Sequence, residues 1–135
     1  MTVVDTNILV RYSVKDDPGQ TVAATEFLAS TPCLLILTVV LETAWVLASK
    51  SGYALERNIV AERIRHLAGL PNITVVDAHA LASALEWYEA GMDIADAIHL
   101  SQAKAGESFA TLDRKLLSCV QRIGLKEQVL LVDGA

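Results

Sequence analysis

The chain has 135 residues, 53% of them hydrophobic and 20% charged, which excludes a disordered chain and fits a single domain spanning 1–135. Sixteen acidic against eleven basic side chains give a net charge of −5, so a broad basic surface that grips duplex DNA is not expected. A cation held in an acidic pocket would still invert the charge locally.

Thr2 to Asp5 reads as a short buried strand, followed by a helix over Thr6 to Val14. Apolar residues at helical spacing (Val22, Phe27, Leu28) predict a helix over Gln20 to Ser30, stopped by Thr31-Pro32. Cys33 to Leu37 is a continuous apolar run of strand length. Thr38 is a candidate cap for a helix reaching about Lys50, where Ser51-Gly52 ends it. Leu55 to Leu67 is a helix of mixed charge with an apolar stripe. Ile73 to Val76 is a third strand, followed by helices over His79 to Ala90 and Asp93 to Ala105. Ser108 to Leu112 forms a fourth strand, Asp113 to Arg122 a helix, and Val129 to Val132 a last short strand. Short apolar strands alternating with helices predict the α/β class, a three-layer α/β/α sandwich around a central, mainly parallel sheet.

Two cysteines, Cys33 and Cys119, are too few for a disulfide framework or a zinc pattern. Their apolar neighbours predict buried thiols in a reducing, cytoplasmic setting. The N-terminus does not read as a signal peptide. The longest apolar tract, Leu34 to Ala48, contains Glu42 and falls short of the roughly 20 residues that span a bilayer. The expectation is a soluble protein with no membrane association.

In open α/β sheets, ligands bind beyond the carboxyl ends of the strands. Asp5 ends the first predicted strand, and Asp113 follows the fourth. Glu42 lies early in the helix after the second strand, and Asp93 and Asp96 open another helix three residues apart. Parallel strands would deliver these segments to one edge, where converging carboxylates repel unless a cation sits between them. Oxygen ligands with few His or Cys nearby favour magnesium or manganese over zinc. Each residue also has a plainer reading. Asp5 and Asp113 could cap the helices that follow them, capping leads for Asp93, and Asp77 reads mainly as a cap. For Glu42 the functional reading leads. It is the one ionisable side chain in a helix apolar on nearly every face, which predicts burial, and a buried carboxylate needs a cation, donors or a raised pKa. Its spacing from Thr38 does not match a capping box.

Asp5-Thr6-Asn7-Ile8-Leu9 after an N-terminal strand, Glu42 after the second strand, Asp96 in Ala95-Asp96-Ala97-Ile98-His99-Leu100, and Asp113 in Thr111-Leu112-Asp113-Arg114 resemble the ordered motifs of the PIN-domain ribonucleases. The likeness covers essentially the whole chain, and its size suits the VapC-like toxins of type II toxin–antitoxin pairs. The resemblance implies a metal-dependent endoribonuclease. Asp5, Glu42 and Asp96 would hold a divalent ion, Mg2+ or Mn2+, with Asp113 completing the acidic pocket and Asp93 auxiliary at its rim. Thr6, Asn7 and Thr111 match positions that orient the pocket. Leu112 stands where the family often has an aromatic residue, a departure that touches packing. Such an ion would neutralise the scissile phosphate and make water a better nucleophile at neutral pH. In-line attack would leave a 5′-phosphate and a 3′-hydroxyl.

The implied partners are an RNA substrate and a cognate antitoxin that lays a peptide or helix across the pocket. Arg11, Lys15, Arg114 and Lys115 flank the predicted pocket and could grip RNA, with an ordinary solvated surface as the plainer reading. His99 follows Asp96 by one turn and reads as a packing residue; His66 and His79 have no visible partners. Ala23 to Leu28 and Val39 to Leu47 could supply a homodimer face or simply core. A receiver-type domain would need a Lys near the last strand, and a D-x-D phosphatase opening fails at Asn7. The alternative that survives is a catalytically idle PIN-like module acting through a protein partner.

Overall fold

The computed structural model describes residues 1–132 and divides the chain into two compact units, Met1–Ala78 and His79–Ala135. The first contains β1 (Thr2–Val3), α1 (Thr6–Val14), α2 (Pro18–Ser30), β2 (Cys33–Leu35), α3 (Leu37–Ala48), α4 (Arg57–Ala68) and β3 (Ile73–Val75). Its strands form a parallel sheet in the order β1-β2-β3, with Thr2 opposite Cys33 and Cys33 opposite Ile73. Each crossover is helical, as parallel pairing demands. Val4, Leu9, Leu35, Val40, Leu47, Ile64 and Leu67, none more than 1% exposed, form the core of this unit. Burying each such side chain contributes about 1.5–3 kcal/mol.

The second unit contains α5 (Ala78–Glu89), α6 (Ile94–Ser101), β4 (Phe109–Thr111), α7 (Arg114–Arg122), a short 3-10 turn (Lys126–Gln128) and β5 (Val129–Leu131). β4 and β5 pair in parallel, Phe109 opposite Val129 and Thr111 opposite Leu131. Leu85, Met92, Ala97, Leu100, Leu116 and Val120 are its buried centre. Strands alternating with helices, all pairs parallel, are the α/β class that the sequence predicts. Cys33 and Cys119 are buried free thiols, and burial pushes the Cys33 thiol up.

Several boundaries differ from expectation for local reasons. α2 begins at Pro18, because Asp17 accepts the Gln20 amide at 3.1 Å and proline suits the first helical position. Thr38 does not cap α3; the helix starts at Leu37 with Ile36 at its N-cap and no side-chain cap bond. α6 stops at Ser101, well before Ala105, and the chain turns where the Lys104 amide donates to Glu107 Oε1 at 2.7 Å.

α3 also corrects the expected burial of Glu42. Only one stripe of the helix is buried (Leu37, Val40, Thr43, Ala44 and Leu47). Glu42 and Trp45, three residues apart on the other side, are exposed, Trp45 at 60%. Apolar composition on every face is thus not burial on every face, and Glu42 keeps access to water.

Candidate acidic site

In the first unit Asp5 leaves β1 with extended backbone (φ −88°, ψ 158°) and becomes the N-cap of α1, its Oδ1 accepting the Thr6 amide at 2.7 Å. The capping reading is therefore correct, and it leaves the carboxylate exposed at the strand end. Thr6 is 5% exposed, and its hydroxyl has no hydrogen-bond partner among the described residues. A buried polar group left unsatisfied costs about 1–3 kcal/mol. Asp5, Thr6, Asn7 and Glu42 line one cavity of about 260 Å³, together with Val10, Arg11, Val46 and Tyr53. Folding thus brings Glu42 to the Asp5-Thr6-Asn7 motif.

A cation is fixed in the wall of that cavity. Arg11 Nη1 donates to Asp16 Oδ1 at 2.9 Å and to Tyr53 Oη at 3.1 Å, and the Tyr53 hydroxyl donates to Asp16 Oδ2 at 2.8 Å. The Tyr53 hydrogen bond, then Arg11, holds the Asp16 carboxyl below the usual carboxylate range. The carboxylate in turn pushes Tyr53 and Arg11 up, so the tyrosine keeps its proton and the guanidinium its charge.

In the second unit Asp93 caps α6, its Oδ2 accepting the amides of Ala95 at 3.0 Å and Asp96 at 3.2 Å. Asp113 caps α7, its Oδ1 accepting the amides of Lys115 at 2.8 Å and Leu116 at 3.3 Å. The Thr111 hydroxyl accepts the Asp113 amide at 3.0 Å, fixing the turn out of β4. Asp96, in the first turn of α6, is half-buried. Burial first, then the charges of Asp93 and Asp113, pushes its carboxyl up, and His99 works the other way. Asp93, Asp96, Asp113 and Thr111 are thus a second group, with His99 within electrostatic reach. Asp77 stands before α5 at φ 62°, in the left-handed region.

The donor chemistry suits a hard divalent cation. The cavity of the first unit offers two carboxylates and a buried hydroxyl unpartnered among the described residues, and in the second unit burial and two neighbouring carboxylates oppose the ionised form of Asp96. Among the described residues, no three His, Cys, Asp or Glu side chains are gathered tightly enough to hold a metal ion.

Residues 2–120 match the PIN domain family. The chain belongs to that family. PIN domains are generally nucleases, often dependent on divalent metal ions, and a PIN nuclease domain implies an RNA substrate. No curated protein and no solved structure matches this PIN domain. No helix among its described residues is long and apolar enough to cross a membrane. Sequence reasoning singled out Arg11 but missed Asp16 and Tyr53, which fix it; Tyr53 lies 42 residues away, and no local spacing signals that contact. It also set His99 aside as packing. The ring does lie against Phe109, centroids 6.1 Å apart, yet it also bears on the Asp96 charge. His66, without a visible partner in the sequence, stacks on Tyr12.

Proposed function

We propose that this PIN domain, taken as one domain over 1–135, is an endoribonuclease that hydrolyses RNA phosphodiester bonds with Mg2+ or Mn2+, as the toxin of a toxin–antitoxin pair. The observation that carries the reading is the cavity shared by Asp5 and Glu42 at the carboxyl end of a parallel strand, in a chain of a nuclease family. Asp5, Glu42, Asp96 and Asp113 are the proposed metal-holding and catalytic residues, with Asp93 auxiliary. When bound, a divalent ion supplies charge neutralisation at the scissile phosphate and activation of water.

The residues of the chain prepare that chemistry. Asp5 and Asp113 each accept backbone amides with one carboxylate oxygen, which fixes the orientation of the other. The Thr6 hydroxyl, without a partner among the described residues, is a donor held for a ligand of the cavity. Asn7 adds an exposed amide at the rim, and Thr111 holds the turn that aims Asp113.

The test is incubation of the purified protein with total RNA and manganese or magnesium, followed by end-group analysis. The reading expects cleavage that EDTA abolishes and products with a 5′-phosphate and a 3′-hydroxyl. Products ending in a 2′,3′-cyclic phosphate would overturn the hydrolytic mechanism, because they arise by attack of the RNA 2′-hydroxyl. The partner roles extend this reading. A cognate antitoxin is proposed to cover the acidic cavity, and a homodimer to cover apolar side chains such as Trp45 and Val22, 60% and 55% exposed. A monomeric mass in light scattering at micromolar concentration would remove the dimer.

A further inference from the structure

We propose that Arg11, clamped by Asp16 and Tyr53, is a phosphate-binding site for single-stranded RNA, seating the backbone beside the Asp5–Glu42 cavity. The inference rests on the nuclease reading and names the group that holds the substrate of that site.

The geometry divides the guanidinium between two tasks. Both hydrogen bonds to the protein leave from Nη1, one to Asp16 and one to Tyr53. The three N–H groups on Nη2 and Nε have no partner among the described residues. A guanidinium edge with paired donors fits two oxygens of a phosphodiester, which a lysine ammonium does not match. The clamp closes on itself, because Tyr53 also donates to the second oxygen of Asp16 at 2.8 Å. An isolated exposed Arg–Asp pair is held loosely. Here a third group from a distant part of the chain restricts both partners, so less side-chain freedom is lost when a phosphate arrives.

Position supports the assignment. Arg11 and Asn7 line the acidic cavity and also a neighbouring one of about 500 Å³, bordered by Ile8, Gln20 and Phe27. A strand that runs from one cavity to the other therefore passes the guanidinium. The cation also solves an electrostatic problem, since Asp5 and Glu42 alone would repel the strand they act on. Asp16 and Tyr53 touch the ligand only through Arg11 and are positioning residues.

The experiment measures binding of a labelled, cleavage-resistant phosphorothioate RNA strand by fluorescence anisotropy, with manganese present, over a range of salt. The proteins are wild type, Arg11→Ala, Arg11→Lys, Tyr53→Phe, Asp16→Asn and the double variant Arg11→Ala/Tyr53→Phe, each checked by thermal melting. Arg11→Ala is expected to weaken binding about tenfold and to reduce the slope of log K against log salt by about 0.7. Arg11→Lys should recover the slope but only part of the affinity. Tyr53→Phe and Asp16→Asn should each weaken binding, and Tyr53→Phe should have no further effect once Arg11 is alanine. Wild-type affinity in Arg11→Ala, or an undiminished effect of Tyr53→Phe without Arg11, overturns the inference. Wild-type protein that binds RNA through Arg11 but leaves the same strand uncleaved in its unmodified form, with manganese or magnesium, would sink the nuclease reading alone, and wild-type protein that binds no RNA would overturn both.

Discussion

The backbone amide of Asp96 donates to Oδ2 of Asp93 at 3.2 Å, while the charge on the same Asp93 helps push the Asp96 carboxyl up. One side chain thus secures the start of α6 and opposes ionisation of the residue one turn in. Burial is the larger cause of that rise, and Asp113 adds to it. A divalent cation would reverse the balance, because it favours the charged form of all three.

An acid whose folded pKa lies above its unfolded one holds its proton more tightly when folded. The stability contributed by Asp96 in metal-free protein is therefore full in acid, and it is lost as pH rises from the ordinary carboxylate range through the raised folded value. Asp96→Asn should stabilise the metal-free protein at neutral pH in EDTA by less than about 1 kcal/mol, because solvent screens the neighbours, and this should read as a higher Tm. That advantage should vanish in acid. Thermal melts at a series of pH values check this; curves that stay parallel for the two proteins would contradict it.

Asp93 allows capping and acidity to be separated. Asn caps a helix nearly as well as Asp, whereas Ala removes the acceptor. Asp93→Ala should cost about 0.5–2 kcal/mol in urea unfolding, and Asp93→Asn close to nothing. If the charge serves the reaction, Asp93→Asn should still slow RNA cleavage. Equal stability of the two variants would show that the two amide bonds at α6 contribute nothing measurable.

The fold class was legible because short apolar strands and helix stops are local signals, and α1 was legible to the residue, Thr6 to Val14. The Asp17-Pro18 start of α2 was equally local and was missed. Other features were not local. Whether Glu42 is buried depends on which stripe of α3 meets the core, and that choice belongs to the partners of the helix. The contact of Tyr53 with Arg11 joins α1 to the turn after α3, two segments that no periodicity links. For Asp5, Asp93 and Asp113 the capping and acidic readings looked like alternatives, yet all three cap helices and keep carboxylates at the helix starts.

Exposure of Glu42 makes its role separable from folding. Glu42→Gln should change stability by less than about 0.5 kcal/mol, as surface substitutions do. It should lower cleavage by about a hundredfold or more, since charge stabilisation at a reacting phosphate is worth several kcal/mol. Unfolding curves and single-turnover cleavage report the two effects, and unchanged cleavage would remove Glu42 from the centre.

Gly52 tests the route from backbone to cavity. A Cβ there would run into the carbonyl oxygen of Val46, which also accepts the Tyr53 amide at 3.3 Å. Gly52→Ala should cost about 1–3 kcal/mol and displace Tyr53 from Arg11, lowering RNA affinity beyond the loss of stability. Thermal melts and RNA binding well below Tm measure both, and wild-type values in both would show that the turn absorbs the methyl group.

The most direct measurement is cleavage of total RNA by wild-type protein and by Asp96→Asn purified identically, each with manganese or magnesium and again with EDTA. The account predicts cleavage by the wild type alone, abolished by EDTA, with the variant folded and inactive. Equal cleavage by both proteins, or cleavage that survives EDTA, would contradict it.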